Sequence, residues 1–238
     1  MVEFKRETCH ADISIYCETV QNLIGRFDGD PTIMKSENHF LSHSDHTVLN
    51  VFYSCQCILY MYFGEYEKGA ELAIKRSDAY AQGAPGHVWI MIETFARGMC
   101  LYAMARETRK RSFKNEAMKV HKTIKSWVRK GNPNVKHYGL LFNAELAALN
   151  GKRGAAEGWY QSSIVSAARR GHVHESAFAS ERYGDFLLEE RNDSEEARHK
   201  FEDAIQRYCE WGAAKKASML RDAHQDLWQK HSEVFAPG

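Results

Sequence analysis

Four prolines in 238 residues leave little to interrupt long helices, and runs of alternating β-branched residues are equally scarce. With Ala, Leu, Glu, Lys and Arg spread through long segments, the chain is expected to be nearly all helix. The six cysteines (Cys9, Cys17, Cys55, Cys57, Cys100 and Cys209) follow no spacing of a disulfide framework, which points to a reducing compartment. No stretch approaches the roughly 18 apolar residues of a membrane span. The opening Met-Val-Glu-Phe-Lys-Arg lacks the apolar core of a signal peptide, so the expectation is a cytoplasmic protein. A net charge of +1 gives the whole molecule no preference for nucleic acid or for an acidic partner. Hydrophobic residues at 44% and charged residues at 26% exclude wholesale disorder.

Catalytic signatures are also missing. No Gly-x-x-x-x-Gly-Lys-Ser/Thr phosphate loop occurs, and the glycine-rich turn from Gly83 to Gly86 has neither the lysine nor a preceding strand. No Gly-x-Ser-x-Gly elbow is present. The expectation is a protein that is not an enzyme, with no catalytic residue and no cofactor.

What the chain has is a repeat. From Gly151 to Gly212 it matches itself at an offset of 41 residues: Gly151 with Asn192, Ala156 with Ala197, Tyr160 with Phe201, Ile164 with Ile205, Ala168 with Cys209, Gly171 with Gly212. Matched small and apolar residues four apart predict one buried stripe on each helix. Helices are expected over about 136–150, 153–170, 174–190, 194–211 and 213–233. Asp193 with Glu196 has the spacing of a capping box, and Gly171 and Gly212 are placed as left-handed helix stops.

The first half reads as degenerate hairpins. A helix over about 9–27 should bury Ile13, Tyr16, Cys17, Val20, Leu23 and Ile24, and a polar connector over 28–45 follows. A helix over 47–63, apolar nearly all round, should be central. A helix through Ala70, Ala73, Ile74 and Tyr80 pairs with it and closes at residues 83–86. Helices over 87–105 and 112–130 complete this half, and Gly131-Asn132-Pro133-Asn134 stops the last of them.

Charge is segregated along the sequence. Between Arg106 and Lys136 stand eleven Lys or Arg against Glu107 and Glu116, whereas between Glu181 and Glu210 ten acids face five basic residues. The basic stretch, with Arg109, Lys110, Arg111 and Lys114 at its head, reads as a solvated face, as a contact for acidic segments, or as a surface for nucleic acid. Any nucleic-acid contact would be mostly to phosphate.

Three sets of residues invite a metal reading. Cys55 and Cys57 stand two apart, on opposite sides of a helix, and read as core. His172, His174 and Glu175 lack a third ligand group at recognisable spacing and read as hairpin-turn residues. His39, His43 and His46 with Asp45 lie among Ser and Asn, which suits a solvated loop. No metal site is expected.

A small residue in the turn, then small and aromatic residues packing between helices, resembles the tetratricopeptide pattern, although 41 residues exceed that family's period of about 34. Two segments carry a closer resemblance: Trp127, Pro133-Asn134, His137-Tyr138, Leu141 and Ala144-Glu145; then Tyr208, Trp211-Gly212-Ala213, Lys216 and Leu220. Over roughly residues 120–225 the chain is similar to the helical tail that follows the AAA-type ATPase of multi-sensor serine/threonine and histidine kinases. That resemblance implies a regulatory scaffold and carries over no catalytic residue.

The expected fold is therefore all-α: a right-handed superhelical stack of lengthened tetratricopeptide-like hairpins forming one domain over 1–238. Degenerate hairpins occupy 1–135, and clear repeats with a C-terminal capping helix occupy 136–233. The expected function is protein–protein interaction. Contact residues would come from the first helix of each hairpin, with Asn143, Arg182 and Asp185 as candidates beside Arg109, Lys110, Arg111 and Lys114.

Overall fold

The computed structural model describes residues 2–26, 29–42, 46–83 and 89–234. Every regular element among the described residues is helical. In chain order the α-helices are α1 (Val2–Ile24), α2 (Glu37–Leu41), α3 (His46–Phe63), α4 (Tyr66–Arg76), α5 (Ala79–Gly83), α6 (Trp89–Thr108), α7 (Arg111–Arg129), α8 (Lys136–Leu149), α9 (Arg153–Ala168), α10 (Val173–Phe186), α11 (Ser194–Trp211), α12 (Ala214–Ala223) and α13 (Gln225–Val234). None is long and apolar enough to cross a membrane. Contacts divide the chain into two compact units, Met1–Lys130 and Gly131–Gly238. The division falls at the Gly-Asn-Pro-Asn stop, where Gly131 takes a positive φ.

In the first unit α3 is central, as its uninterrupted apolar sequence predicts: Val48, Val51, Phe52, Cys55, Ile58, Leu59 and Met61 are all buried. Cys55 and Cys57 are core residues, as expected. The face of α1 differs from the expected one. Ala11, Ile15, Thr19 and Leu23 face inward, while Ile13 and Val20 are 60% and 54% exposed. Thr19 can be buried because its hydroxyl donates back to the carbonyl of Ile15 at 2.8 Å. The connector after α1 is not merely polar. Met34 and Phe40 are buried within it, and Gln56 of α3 donates a hydrogen bond to the carbonyl of Thr32.

The single helix expected through Ala70, Ala73, Ile74 and Tyr80 is two, broken at Ser77, a non-glycine residue at φ 47°. The break brings the Asp78 carboxylate to Arg97 of α6 at 2.9 Å. Arg97 also pairs with Glu93 at 3.1 Å, and both side chains are nearly fully buried. Burial pushes the Glu93 carboxyl from its ordinary 4.5 up to about 7, against the opposing pull of Arg97 and the Thr94 hydroxyl.

The second unit carries the repeat. Gly151 and Asn192, matched in sequence, are both left-handed (φ 71° and 54°), and so are Gly171 and Gly212 (φ 75° and 92°). Asp193 caps α11 by accepting from the Glu196 amide at 3.1 Å. The buried stripes are Ala156, Tyr160, Ser163 and Ala167 on α9, and Ala197, Phe201, Ala204 and Tyr208 on α11. The pairs Ala168/Cys209 and Ile164/Ile205 therefore do not continue a common stripe: Ala168 and Cys209 are exposed, and Ile164 is half-buried. A strict spacing of four advances about 40° per step on a 3.6-residue helix, so the third and fourth members drift off the face and the residue before each takes its place.

Helix α10 lies between α9 and α11, and every residue from Glu175 to Gly184 is buried. Its small residues Ser176, Ala177, Ala179, Ser180 and Gly184 allow this close approach; a Cβ on Gly184 would meet the Phe201 ring at 2.7 Å. After Phe186 the helix widens into one π-turn, Leu187–Arg191, that ends at Asn192. The expected C-terminal helix is also broken, at His224, whose ring stacks on Phe201 with centroids 3.9 Å apart.

Two outcomes follow from this packing. Gly184→Ala forces a buried phenyl ring aside and should lower unfolding free energy by about 1–3 kcal/mol. Gly154→Ala and Gly158→Ala on α9, where an added Cβ meets nothing within 4 Å, should each raise it by about 0.5–1 kcal/mol. Denaturant melts of the three variants check both signs. For Glu93, the folded state keeps a proton that the unfolded chain gives up above about 4.5, so this group's contribution declines as pH rises toward 7 and is flat beyond. Thermal midpoints of wild type and Glu93→Gln should diverge through that window, with the wild type losing on the order of 3 kcal/mol relative to the variant.

Candidate functional site

The charges of α10 have no outward face, and each is met inside the second unit. Arg182 donates from Nε and Nη2 to the two oxygens of Glu145 on α8, at 3.0 and 3.3 Å, and from Nη1 to Asp185 at 2.9 Å. Glu145 is wholly buried and Arg182 is 5% exposed. Glu181 accepts from the Tyr208 hydroxyl at 2.7 Å and from the Lys216 ammonium at 2.6 Å. Of the surface candidates read from the sequence, Arg182 and Asp185 are thus joined in an internal ion pair, and Asn143 is half-buried on α8.

The third charge, Glu175, has the least ordinary surroundings. It sits in the first turn of α10, three residues after the N-cap His172. Its Oε1 accepts from Tyr138 at 2.9 Å and lies 3.9 Å from His137 Nε2, too far for a hydrogen bond. Its Oε2 lies 3.7 Å from His172 Nδ1 and 2.9 Å from His174 Nε2. His137 comes from the start of α8, where its backbone carbonyl accepts from Ser163 of α9 at 2.9 Å. Its ring is 1% exposed, stacks on His172 at 4.7 Å, and has no hydrogen-bond partner on either nitrogen. An orphaned buried polar group of this kind costs about 1–3 kcal/mol. His174 stacks on Trp211 at 4.6 Å, which fixes its ring beside the carboxylate.

Burial works to raise the Glu175 carboxyl, but the interactions with His137 and His174 outweigh it and hold the group well below the ordinary carboxylate range. Burial lowers His172, only partly offset by Glu175. The arrangement is a buried carboxylate ringed by three imidazoles in a partly dry site. One nitrogen or oxygen from each of His137, His172 and Glu175 falls within 4.8 Å of the others, the spacing of a metal-ligand set. His172 and Glu175 were visible in the sequence at helical spacing. The third member, His137, stands 35 residues before His172 and is delivered only by the pairing of α8 with the α9–α10 turn. Of the other histidine set, His39 and His46 are exposed, and residues 43 and 45 lie outside the described residues.

Two surfaces carry uncompensated positive charge. On α7 the residues Arg111, Lys114, Lys122, Lys125 and Arg129 stand three, eight, three and four positions apart and so share one face, with Glu116 on the other side of the helix. Arg111, Lys122, Lys125 and Arg129 have no carboxylate partner among the described residues. Arg109, at φ 57°, and Lys110 lead into this helix. Arg106, counted with them in the sequence, is instead buried. In the second unit a groove of about 830 Å³ between α8 and α9 is lined by Lys136, Leu140, Gln161, Val165, Arg169 and Arg170 among others, with no acid in its lining. Val165 within it is 45% exposed. None of these groove residues stood out in the sequence, because Lys136 and Arg169 are 33 positions apart.

Arg182→Ala should cost about 3–5 kcal/mol, because it strands Glu145 in the interior. Arg182→Met combined with Glu145→Leu should recover most of that loss. Urea unfolding of the single and double variants separates an internal role for Arg182 from a role in partner contact.

Comparison with known protein families, with curated proteins and with solved structures finds no match for this chain.

Proposed function

We propose that the chain is a non-catalytic protein-binding scaffold, and that the groove between α8 and α9 takes an acidic segment of its partner. One observation carries the reading: an open groove whose lining sets Leu140 and Val165 beside Lys136, Arg169 and Arg170 and contains no acid. An extended acidic peptide would gain charge complementarity along the rim and bury side chains at Val165. Trp159, 40% exposed on the same helix, adds an aromatic of the kind enriched where partners bind. The hairpin architecture belongs to this reading. A right-handed tetratricopeptide-like stack, closed at its C-terminal end by α12 and α13, offers its surface rather than an enclosed site.

The resemblance to the helical tail of multi-sensor signalling kinases supports a regulatory role for such a scaffold. Most of the residues on which it rests are internal: His137, Tyr138, Leu141, Ala144, Glu145, Tyr208, Ala213, Lys216 and Leu220 are buried, whereas Trp127 is half-buried and Pro133, Asn134, Trp211 and Gly212 are exposed. They bear on how the unit is built, and the choice of partner falls to the groove.

The basic face of α7 favours a second reading, binding of nucleic acid through phosphate contacts. Salt and charge reversal distinguish the two. Lys136→Glu with Arg169→Glu and Arg170→Glu should abolish recovery of an acidic protein partner from native extract, while circular dichroism stays unchanged. Under the second reading RNA or DNA is recovered instead, its binding collapses between about 50 and 200 mM salt, and it is lost on reversal of Lys122, Lys125 and Arg129.

A further inference from the structure

We propose that His137, His172 and Glu175 form a binding site for one divalent first-row transition-metal ion of the zinc class. The inference is independent of the groove, because the cluster lies at the start of α8 and the α9–α10 turn and shares no residue with the groove lining.

Three features point to an ion rather than to a hydrogen-bonded histidine turn. First, His137 is buried and both ring nitrogens lie without a partner, although an imidazole always has at least one acceptor or donor to satisfy on each nitrogen. A proton-sharing network would close those gaps, whereas the observed separations of 3.9 and 3.7 Å from the histidine nitrogens to the carboxylate leave them open. The 3.9 Å gap runs from His137 to Oε1 and the 3.7 Å gap from His172 to Oε2, and each is near the ligand–ligand separation of about 3.4 Å that bonds of about 2.0–2.1 Å impose in a tetrahedral site. Second, the Glu175 oxygen that Tyr138 does not occupy, Oε2, is buried and lies 2.9 Å from His174 Nε2 and 3.7 Å from His172 Nδ1, so its polar neighbours are imidazoles. A carboxylate so placed can ligate while the Tyr138 hydroxyl fixes its plane, and His174, held against Trp211, orients it further. Third, two imidazoles and one carboxylate are a borderline donor set. They favour zinc, cobalt, nickel or copper, and disfavour calcium and magnesium, which want oxygen ligands.

The ligands come from α8 and from the turn into α10, so an ion would tie the first helix of one hairpin to the first helix of the next. His172 and His174 are each about one-quarter exposed, which gives the ion a route of entry and leaves its fourth position to solvent. Binding to the folded chain alone would raise its apparent stability.

The test uses the full chain without a purification tag, stripped with a chelator and titrated with Co²⁺ and then Zn²⁺. One equivalent of Co²⁺ should give the visible absorption of a four-coordinate site, Zn²⁺ should displace it, and the thermal midpoint should rise by several degrees at saturating Zn²⁺. His172→Gln, at a partly exposed position, should keep the metal-free midpoint and weaken Zn²⁺ binding at least ten-fold. Glu175→Gln, isosteric and still able to accept from Tyr138, should do the same and serves where the first variant fails to fold. His46→Gln, at an exposed position away from the cluster, should leave binding unchanged. Absence of stoichiometric binding by the wild type overturns the proposal. So does wild-type affinity in both cluster variants, which would assign the Co²⁺ to scattered surface histidines.

Discussion

A helix covered on two sides has no place to put a charge, and α10 carries three charged side chains between Glu175 and Arg182 that are buried to within a few per cent. Its small residues make the double coverage possible, and Phe201 lying on Gly184 shows how near the neighbours come. Every charge it carries then demands a partner from elsewhere in the unit, since an unpaired buried ion costs several kcal/mol. Glu145 is supplied by α8, Tyr208 by α11, Lys216 by α12, and Tyr138 with His137 by the start of α8. Much of the second unit can be understood as the set of positions from which these partners reach α10.

The first unit meets the same constraint with different residues. Helix α6 is buried from Glu93 to Arg106 and packs against α3, α4 and α7. Glu93 and Arg97 satisfy one another, and the break at Ser77 turns Asp78 toward the same guanidinium. His121 of α7, buried beside α6, has its Nδ1 2.7 Å from the Tyr102 hydroxyl. In both units the interior polar network specifies which helices meet and at what register, whereas apolar packing alone would accept several.

These facts mark what a sequence can and cannot disclose here. Helix α11 was legible to the residue, because Asp193 and Gly212 state its ends locally and its apolar spacing is helical. The buried stripe was legible for its first two members in both helices and for the third, Ile205, on α11; Ala168 and Cys209 fall outside it, since a spacing of four imitates the helical period over one turn and departs from it over three. The face of α1 was misread for a reason no periodicity reveals: Thr19 hides its hydroxyl in its own helix, so it packs as an apolar residue would, and Ile13 is left outside. The breaks at Ser77 and His224 depend on Arg97 and Phe201, which lie 20 and 23 residues away, so local propensity could not announce them. For the same reason the His172–Glu175 turn looked incomplete in one dimension, its third member being contributed by the preceding hairpin.

The distribution of charge between inside and outside then bears on function. Within the acid-rich segment over 181–210, Glu181 and Asp185 pair inside the second unit, whereas Glu196 with Lys200 at 2.6 Å, Glu202 with Arg198 and Asp203 with Arg207 pair along the surface of α11, where these three acids are 46%, 43% and 49% exposed. Arg111, Lys122, Lys125 and Arg129 of α7 have no carboxylate partner among the described residues, and the lining of the α8–α9 groove contains no acid to oppose its cations. In a chain of net charge +1, positive charge thus gathers at two places, one face of α7 and the lining of the α8–α9 groove. Such a surface selects partners by sign before it selects them by shape, since the field acts over about 10 Å whereas packing acts only on contact. The groove sets the apolar side chains of Leu140 and Val165 among its cations, and under the proposed reading that combination would discriminate among acidic partners more sharply than charge alone.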